Sequence, residues 1–160
     1  MTAAGDKRTR PRAPASATPH TPKAHEVTTA VLRTADVLRR RVAAALAPHG
    51  ITSQQYNVLR ILRGAHPRSL PTLEVAARMI EQAPGVTRLL DRLEATGLAR
   101  RERGVDDRRL VECRITAAGL ALLAELDAPI DEVNRHAVRS LDAADRRSLA
   151  QLLTLVRGGE

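Results

Sequence analysis

Residues 85–92 of this chain concentrate the side chains that bind phosphate and read base edges. Gly85, Thr87, Arg88 and Arg92 fall on one side of a predicted helix. An arginine can donate two hydrogen bonds to a guanine edge, and a threonine can contact a phosphate or a thymine methyl. A glycine lets the backbone approach a ligand closely. The pattern predicts a helix whose amino-terminal end enters the major groove of a duplex.

A predicted hairpin follows, with a dense group of arginines around its turn. These are Arg100, Arg101, Arg103, Arg108 and Arg109. Such crowding costs free energy through self-repulsion unless an anion lies near. A β-turn is also narrow enough to enter a minor groove, where arginine is favoured. The helix alone fits a solvated amphipathic helix equally well, but the adjoining hairpin favours DNA binding.

The composition of the chain agrees with a duplex-binding protein. The 160 residues carry a formal net charge of +8, which favours a polyanionic partner. Tyr56 is the only aromatic residue. RNA-binding sheets and single-strand platforms stack bases on aromatic faces, so this composition argues against both classes. A core of Leu, Val, Ile and Ala favours packed helices over a β-sandwich.

Apolar spacing predicts the elements that position these residues. Helices are expected over residues 25–47, 52–64, 72–80, 84–96, 116–138 and 142–156, with a hairpin over 98–115. The fold class is therefore mainly α with a small β-wing. The short third helix, a tight turn at residues 81–83 and the fourth helix form a helix-turn-helix.

Local signals support several of these helix ends. Thr52 and Gln55 resemble a capping box, and Thr72 is placed to cap the third helix. Pro84 suits the first position of the fourth helix, and Gly97 suits a left-handed stop after it. Within the long fifth helix, Pro129 predicts a bend or a break. The apolar inner side is assigned to Val86, Leu89, Leu90 and Leu93 in the fourth helix, and to Val75, Ala76, Met79 and Ile80 in the third.

Other candidate sites are weaker. Cys113 is the only cysteine, so no internal disulfide is possible and a reducing, cytoplasmic setting is expected. It alternates with Val111 and Ile115 on the predicted inner side of a strand, which favours a small buried residue over a redox sensor. The histidines show no metal-ligand spacing, and the sequence has no run of about 18 apolar residues, the length needed to span a membrane. No enzyme motif or cofactor motif is present, so we expect neither catalysis nor a cofactor.

The segment GVTRLLDRLEATGLARRERGVDDRRLVECRIT, residues 85–116, resembles the core of the MarR family of bacterial transcriptional regulators. The pattern V-T-R-L-L-D-R-L-E from Val86 to Glu94 is similar to the family's recognition helix. Asp107, Arg108 and Arg109, with Thr116 seven residues after Arg109, are similar to the family's wing. The element order agrees over about residues 25–157.

The resemblance implies a homodimer on pseudo-palindromic duplex DNA. Residues 25–50 and 117–157 would form a dimerisation bundle, and residues 51–116 a winged helix-turn-helix domain. Arg109 would enter the minor groove, braced by an ion pair with Asp107. The apolar stripes of the terminal helices support a dimer independently, because no large sheet is available to cover them. Residues 1–24 have almost no large apolar side chain and are expected to be a disordered basic tail.

The predicted function is a sequence-specific, double-stranded-DNA-binding transcriptional regulator, a repressor released by a small-molecule effector. Tyr56 falls near the position of the family's effector pockets, although a buried core tyrosine is the alternative. Two other functions remain open. One is a winged-helix dimer that binds a partner protein, and the other is a non-specific architectural DNA-binding protein.

Overall fold

The computed structural model describes residues 21–80, 85–103 and 110–158. The predicted tail, residues 1–24, lies largely outside this part of the chain. Contacts divide the chain into two units, with the boundary between Ala35 and Asp36. In the described part of the first unit, residues 24–34 are exposed except for the half-buried Val31.

The first helix, α1 (Ala24–Leu46), crosses that boundary and begins and ends within one residue of its predicted limits. Its last residue, Leu46, is fully buried in the hydrophobic core, and Val42 and Ala45 pack against the same core. A single 3₁₀ turn follows, and the chain then reverses at Gly50, whose φ is 69°. The left-handed conformation of Gly50 ends the helical segment where the sequence predicted.

The second helix, α2 (Ser53–Ala65), begins with the predicted capping box. The Gln55 N–H donates to Thr52 Oγ1 at 3.2 Å, and the Thr52 N–H donates to Gln55 Oε1 at 2.9 Å. These bonds satisfy backbone donors that a helix start otherwise leaves free. Residues of α2 contact three other helices and one strand of the second unit, so this helix is part of the core.

A short strand, β1 (Leu70–Pro71), lies between the second and third predicted helices, where the sequence predicted no strand. It pairs antiparallel with β3 (Val111–Ile115), which also pairs with β2 (Ala99–Arg103), giving the order β1–β3–β2. A strand of two residues is too short to show alternation, so the sequence carried no signal for it. Pro71 is tolerated because β1 lies at the edge of the sheet.

The third helix, α3 (Thr72–Ala77), differs from the prediction at both ends. Thr72 does not cap it; its hydroxyl donates instead to the carbonyl oxygen of Val111, at 3.1 Å, and so joins α3 to the sheet. The helix ends before Ile80, which is 83% exposed and not on the inner side. The prediction that Ile80 faces the core assumed that the helix continues to this residue, and it is wrong because the helix ends at Ala77. Val75 and Met79 are buried as predicted.

The fourth helix, α4 (Val86–Ala95), begins after Gly85, and the predicted turn at residues 81–83 and Pro84 lie outside the described residues. The helix ends as predicted. Gly97 has a φ of 72°, and the Leu98 N–H donates to the Leu93 carbonyl at 2.8 Å. This left-handed stop turns the chain directly into β2.

The fifth helix, α5 (Ala117–Ala137), is continuous through Pro129. The sequence predicted a bend or a break at this proline, and the break is excluded. Burial of Leu123, Leu126 and Ile130 on both sides of the proline holds the helix in place. The sixth helix, α6 (Ala143–Val156), begins at the capping box of Asp142 and Asp145. No residue of α6 is buried, and four of its large apolar side chains are exposed: Leu149, Leu152, Leu155 and Val156. Across the described residues, no helix is both long and apolar enough to cross a lipid bilayer.

Candidate nucleic-acid interface

Helix α4 has an apolar side and a polar side, as the sequence predicted. The buried side chains are those of Val86, Leu89, Leu90 and Leu93. The opposite side exposes Thr87, Arg88 and Arg92. Thr87 and Arg88 lie in the first turn, where free backbone N–H groups give the helix end a partial positive charge. This end of α4 therefore offers hydrogen-bond donors and a cation on one solvent-facing surface.

The start of α4 is open to solvent. Gly85 has a φ of 117°, a conformation that residues with a side chain rarely adopt. An added Cβ would meet no described atom within 4 Å, so the glycine is required by the backbone conformation and not by crowding. The open helix end leaves room for a ligand backbone to approach.

Asn57 of α2 fixes the segment that leads towards α4, a role that sequence reasoning missed. Its Oδ1 accepts a hydrogen bond from the N–H of Ile80, at 3.0 Å. Ile80 lies just after α3, so the bond anchors the last described residue before the predicted turn to α2. A half-buried asparagine in a helix interior is a weak signal for such a role.

The arginines of β2 face in different directions. The Arg100 side chain is 68% exposed and pairs with Glu102, with 2.9 Å between Nε and Oε1. Arg103, at the end of the strand, is exposed. The Arg101 side chain is only 25% exposed and points towards α4. Asp107, Arg108 and Arg109, the predicted wing tip, lie outside the described residues.

Arg101 is held by two carboxylates of α4. Its Nε and Nη2 donate to Glu94 Oε2 at 2.9 and 2.6 Å, and its backbone N–H donates to Glu94 Oε1 at 3.0 Å. Nη2 also lies 2.7 Å from Asp91 Oδ1. The hydrogen bonds from Arg101 hold the pKa of Glu94 below its usual value, and the pKa of Arg101 is raised by the same pairing. Glu94 and Arg101 are therefore both charged at neutral pH.

A shallow groove lies between α3, the start of α4 and the sheet. Its lining residues are Pro71, Thr72, Leu73, Thr87, Arg101, Leu110 and Val111. Leu73 is 78% exposed, which was not predicted. The alternation of β3 predicted that Val111 faces inward. The side chain is instead 42% exposed, because it lies at the end of the sheet.

Comparison with known proteins agrees with this geometry. A sequence model described as the MarR family matches residues 49–110. The homoprotocatechuate degradative operon repressor of Escherichia coli is 30% identical over 105 residues, which are 66% of this chain and 70% of that protein. A MarR transcription factor from Planctomyces limnophilus is 34% identical, with a TM-score of 0.66 over 85% of this chain and 98% of that one.

This chain belongs to the MarR family. Membership makes it a DNA-binding regulator of transcription, as the sequence predicted. The fold is also shared with a mutant E. coli MarR in complex with operator DNA, at 23% identity and a TM-score of 0.73 over 81% of this chain and 92% of that one. The predicted fold class, mainly helical with a small antiparallel sheet, is confirmed.

The single cysteine of this MarR-family chain is buried. Cys113 has no exposed surface, and burial raises the pKa of its thiol. The thiol is therefore protonated at neutral pH, and its Sγ lies 3.4 Å from the hydroxyl of Thr72. A protonated, inaccessible thiol reacts slowly with oxidants. The burial agrees with the structural role expected from the sequence.

Tyr56 packs in the hydrophobic core, and His49 lies close to a carboxylate. Tyr56 is buried to 7% exposure, and burial raises the pKa of its hydroxyl. The Arg60 guanidinium lies 5.9 Å from its ring centre, within the range of a cation–π contact. His49 Nδ1 lies 3.9 Å from Glu125 Oε2. In the described part of the chain, no group of His, Cys, Asp and Glu side chains is arranged to hold a metal ion.

Proposed function

We propose that this MarR-family protein is a homodimer that binds a specific pseudo-palindromic operator and represses transcription. The observation that carries the proposal is the exposed side of α4, where Thr87 and Arg88 lie at the open amino-terminal end and Arg92 lies in the last turn, beside an arginine-rich hairpin. Operator binding takes place in the cytoplasm, and the protein acts by occupying DNA and not by catalysis.

The proposed contacts divide between two grooves. Arg88 reads a guanine edge, and Thr87 contacts a phosphate or a thymine methyl in the major groove. Gly85 lets the backbone approach the DNA, and Arg92 binds a phosphate one turn further along α4. The proposed wing contacts come from Arg103, Arg108 and Arg109, with Arg109 in the minor groove and Asp107 bracing it.

The dimer follows from the uncovered apolar side chains of the terminal helices. On α6, Leu152, Leu155 and Val156 are 60%, 72% and 65% exposed. On α1, Leu32 is 63% exposed. A second copy of the chain would cover these side chains and place two α4 helices about 34–36 Å apart, on successive major grooves of one duplex face. An effector that changes this separation would release the operator, and Tyr56 is the side chain proposed to lie near its site.

The first prediction concerns salt and tests the proposal directly. We expect affinity for a duplex selected from a random pool to fall linearly on a log–log plot against salt, because phosphate contacts release counterions. Fluorescence anisotropy on the full chain between about 50 and 200 mM salt measures the slope, and a fall of about 10³–10⁵-fold fits six to ten contacts.

The same titration separates the other functions. An architectural protein would show the salt slope but no preference for the selected duplex over bulk DNA. A protein–protein module would show no duplex binding at all. A flat salt response would contradict the proposed interface.

The second prediction concerns Arg88. Replacing it by alanine should relax base preference at the contacted step by about 1–3 kcal/mol, because the bidentate contact to guanine is lost. Repeating the duplex selection with Arg88→Ala measures the change. Arg139→Ala, in the exposed connection between α5 and α6, is the matched control and should leave the selected sequence unchanged. An unaltered base preference in Arg88→Ala would remove this side chain from the interface.

A further inference from the structure

Arg101 differs from the other arginines of β2 because α4 already supplies its partners. Glu94 binds its guanidinium and its backbone N–H, and Asp91 binds Nη2. Asp91 and Glu94 are three residues apart, so their side chains lie on the same side of α4. One guanidinium thus connects the helix proposed to enter the major groove with the first strand of the wing.

The charges around Arg101 argue against a direct contact with DNA. The guanidinium carries one positive charge, whereas Asp91 and Glu94 together carry two negative charges. A phosphate placed at Arg101 would therefore approach a group with net negative charge. A phosphate could use Nε or Nη2 of Arg101 only by displacing hydrogen bonds to charged acceptors, which are the stronger kind.

The contact between Arg101 and Glu94 is suited to fixing the angle between β2 and α4. A planar guanidinium that donates from Nε and Nη2 to one carboxylate holds a defined orientation, which a flexible ammonium group does not. The bond from the Arg101 N–H to Glu94 also fixes the main chain of β2, so the strand cannot rotate about the side-chain contact. The Leu98 N–H to Leu93 carbonyl bond closes the same junction from the other end.

We propose that Asp91, Glu94 and Arg101 form a clamp that sets the orientation of the wing relative to α4, and that Arg101 is a positioning residue which does not contact the DNA. The proposal rests on the function proposed above. Helix α4 and the wing are proposed to contact the same duplex, so they must keep a fixed separation. If either were displaced, the other would lose its contacts. The clamp therefore supports specific binding and contributes little to non-specific attraction.

Glu94→Gln distinguishes the clamp from simple charge masking, because the two give opposite signs. If the carboxylates only mask Arg101, removing one negative charge should tighten DNA binding. With the clamp, we expect roughly tenfold weaker binding to the selected duplex, since a coupling of about 1.4 kcal/mol is lost. Affinity for bulk DNA should stay within about twofold. Tighter binding of the selected duplex, or an unchanged preference over bulk DNA, would overturn the proposal.

Glu102→Gln is the matched control for Glu94→Gln. It also removes one negative charge, but from β2 and from a side chain that is not part of the clamp. It should leave the preference for the selected duplex unchanged. A thermal unfolding curve for each variant gives the fraction of folded protein, and each affinity is calculated from the concentration of folded protein. Asp91→Asn removes only one link to Arg101 from a half-exposed position and provides a milder variant if Glu94→Gln folds poorly.

Substitutions of Arg101 itself separate positioning from contact. Arg101→Gln should weaken binding of the selected duplex about as much as Glu94→Gln, and the double variant should be no worse than either single one. The salt slope of Arg101→Gln should equal that of the wild-type protein, whereas loss of a phosphate contact would lower the slope by about one. Arg101→Lys keeps the charge but not the paired donors, and should restore only part of the affinity.

Arg100→Gln is the control for Arg101 and should leave the preference for the selected duplex intact. A reduced slope in Arg101→Gln, or additive effects in the double variant, would assign Arg101 to the DNA and overturn the clamp. If the wild-type protein fails to bind any duplex, the proposed function itself fails, and this outcome is distinct from every result that bears on the clamp alone.

Discussion

Leu152→Asp should split the dimer and abolish tight operator binding. Leu152 lies at the centre of the exposed apolar side of α6, within one turn of Leu149, Leu155 and Val156. Burying one leucine stabilises an association by about 1.5–3 kcal/mol, and a two-fold interface buries each side chain twice. The aspartate would also place two charges in the interface.

Loss of the dimer removes the gain from binding two half-sites together. A monomer keeps one α4 contact, so we expect operator affinity to fall by about 10²–10⁴-fold. Light scattering measures the mass in solution, and anisotropy measures the affinity. Gln151→Glu, on the neighbouring exposed position, is the control and should remain dimeric. A Leu152→Asp variant that stays dimeric would place the interface elsewhere.

Gly119→Ala should destabilise the fold, although alanine is the better helix former. An added Cβ would overlap the carbonyl oxygen of Leu98 and lie 2.7 Å from Ile115 Cγ1. Since a backbone atom cannot move aside cheaply, α5 would have to shift away from the junction of α4 and β2. Overpacking of this kind costs roughly 3 kcal/mol, against a gain in helix propensity of about 1 kcal/mol.

Gly64→Ala is the matched control for this effect. Gly64 is also helical, in α2, but a Cβ added there would meet no described atom within 4 Å. The substitution should stabilise the protein by up to about 1 kcal/mol, so the two changes should have opposite signs. Urea unfolding monitored by circular dichroism measures both. A Gly119→Ala variant as stable as the wild type would show that the close approach to Leu98 is not required.

The features that the sequence predicted well depend on local interactions. The capping box at Thr52 and Gln55 involves residues three positions apart, and the left-handed stop at Gly97 needs only a glycine after a helix. The inner and outer sides of α4 follow from a strong 3.6-residue period. Such signals are present within one turn of the chain, so no knowledge of the tertiary structure was needed.

The features that it missed depend on contacts between distant segments. Thr72 fits the sequence pattern of a helix cap, but its hydroxyl donates a hydrogen bond to the carbonyl oxygen of Val111 instead. Arg101 resembles its neighbours in the sequence, and only the arrival of Glu94 beside β2 distinguishes it. Pro129 remains inside α5 because apolar burial on both sides outweighs the lost backbone bond. Composition and spacing contain none of these pairings.

The order of the small sheet also determines where this chain can associate with itself. Among the described residues its edges are β1 and β2, and an exposed edge is a template onto which another chain can add a strand. Pro71 lacks the N–H that such an added strand would require, and β1 is only two residues long. On the β2 edge, the exposed side chains of Arg100 and Arg103 place charged groups beside any added strand, which disfavours such pairing. The sheet therefore resists fibril-like growth, and self-association is directed to the helices.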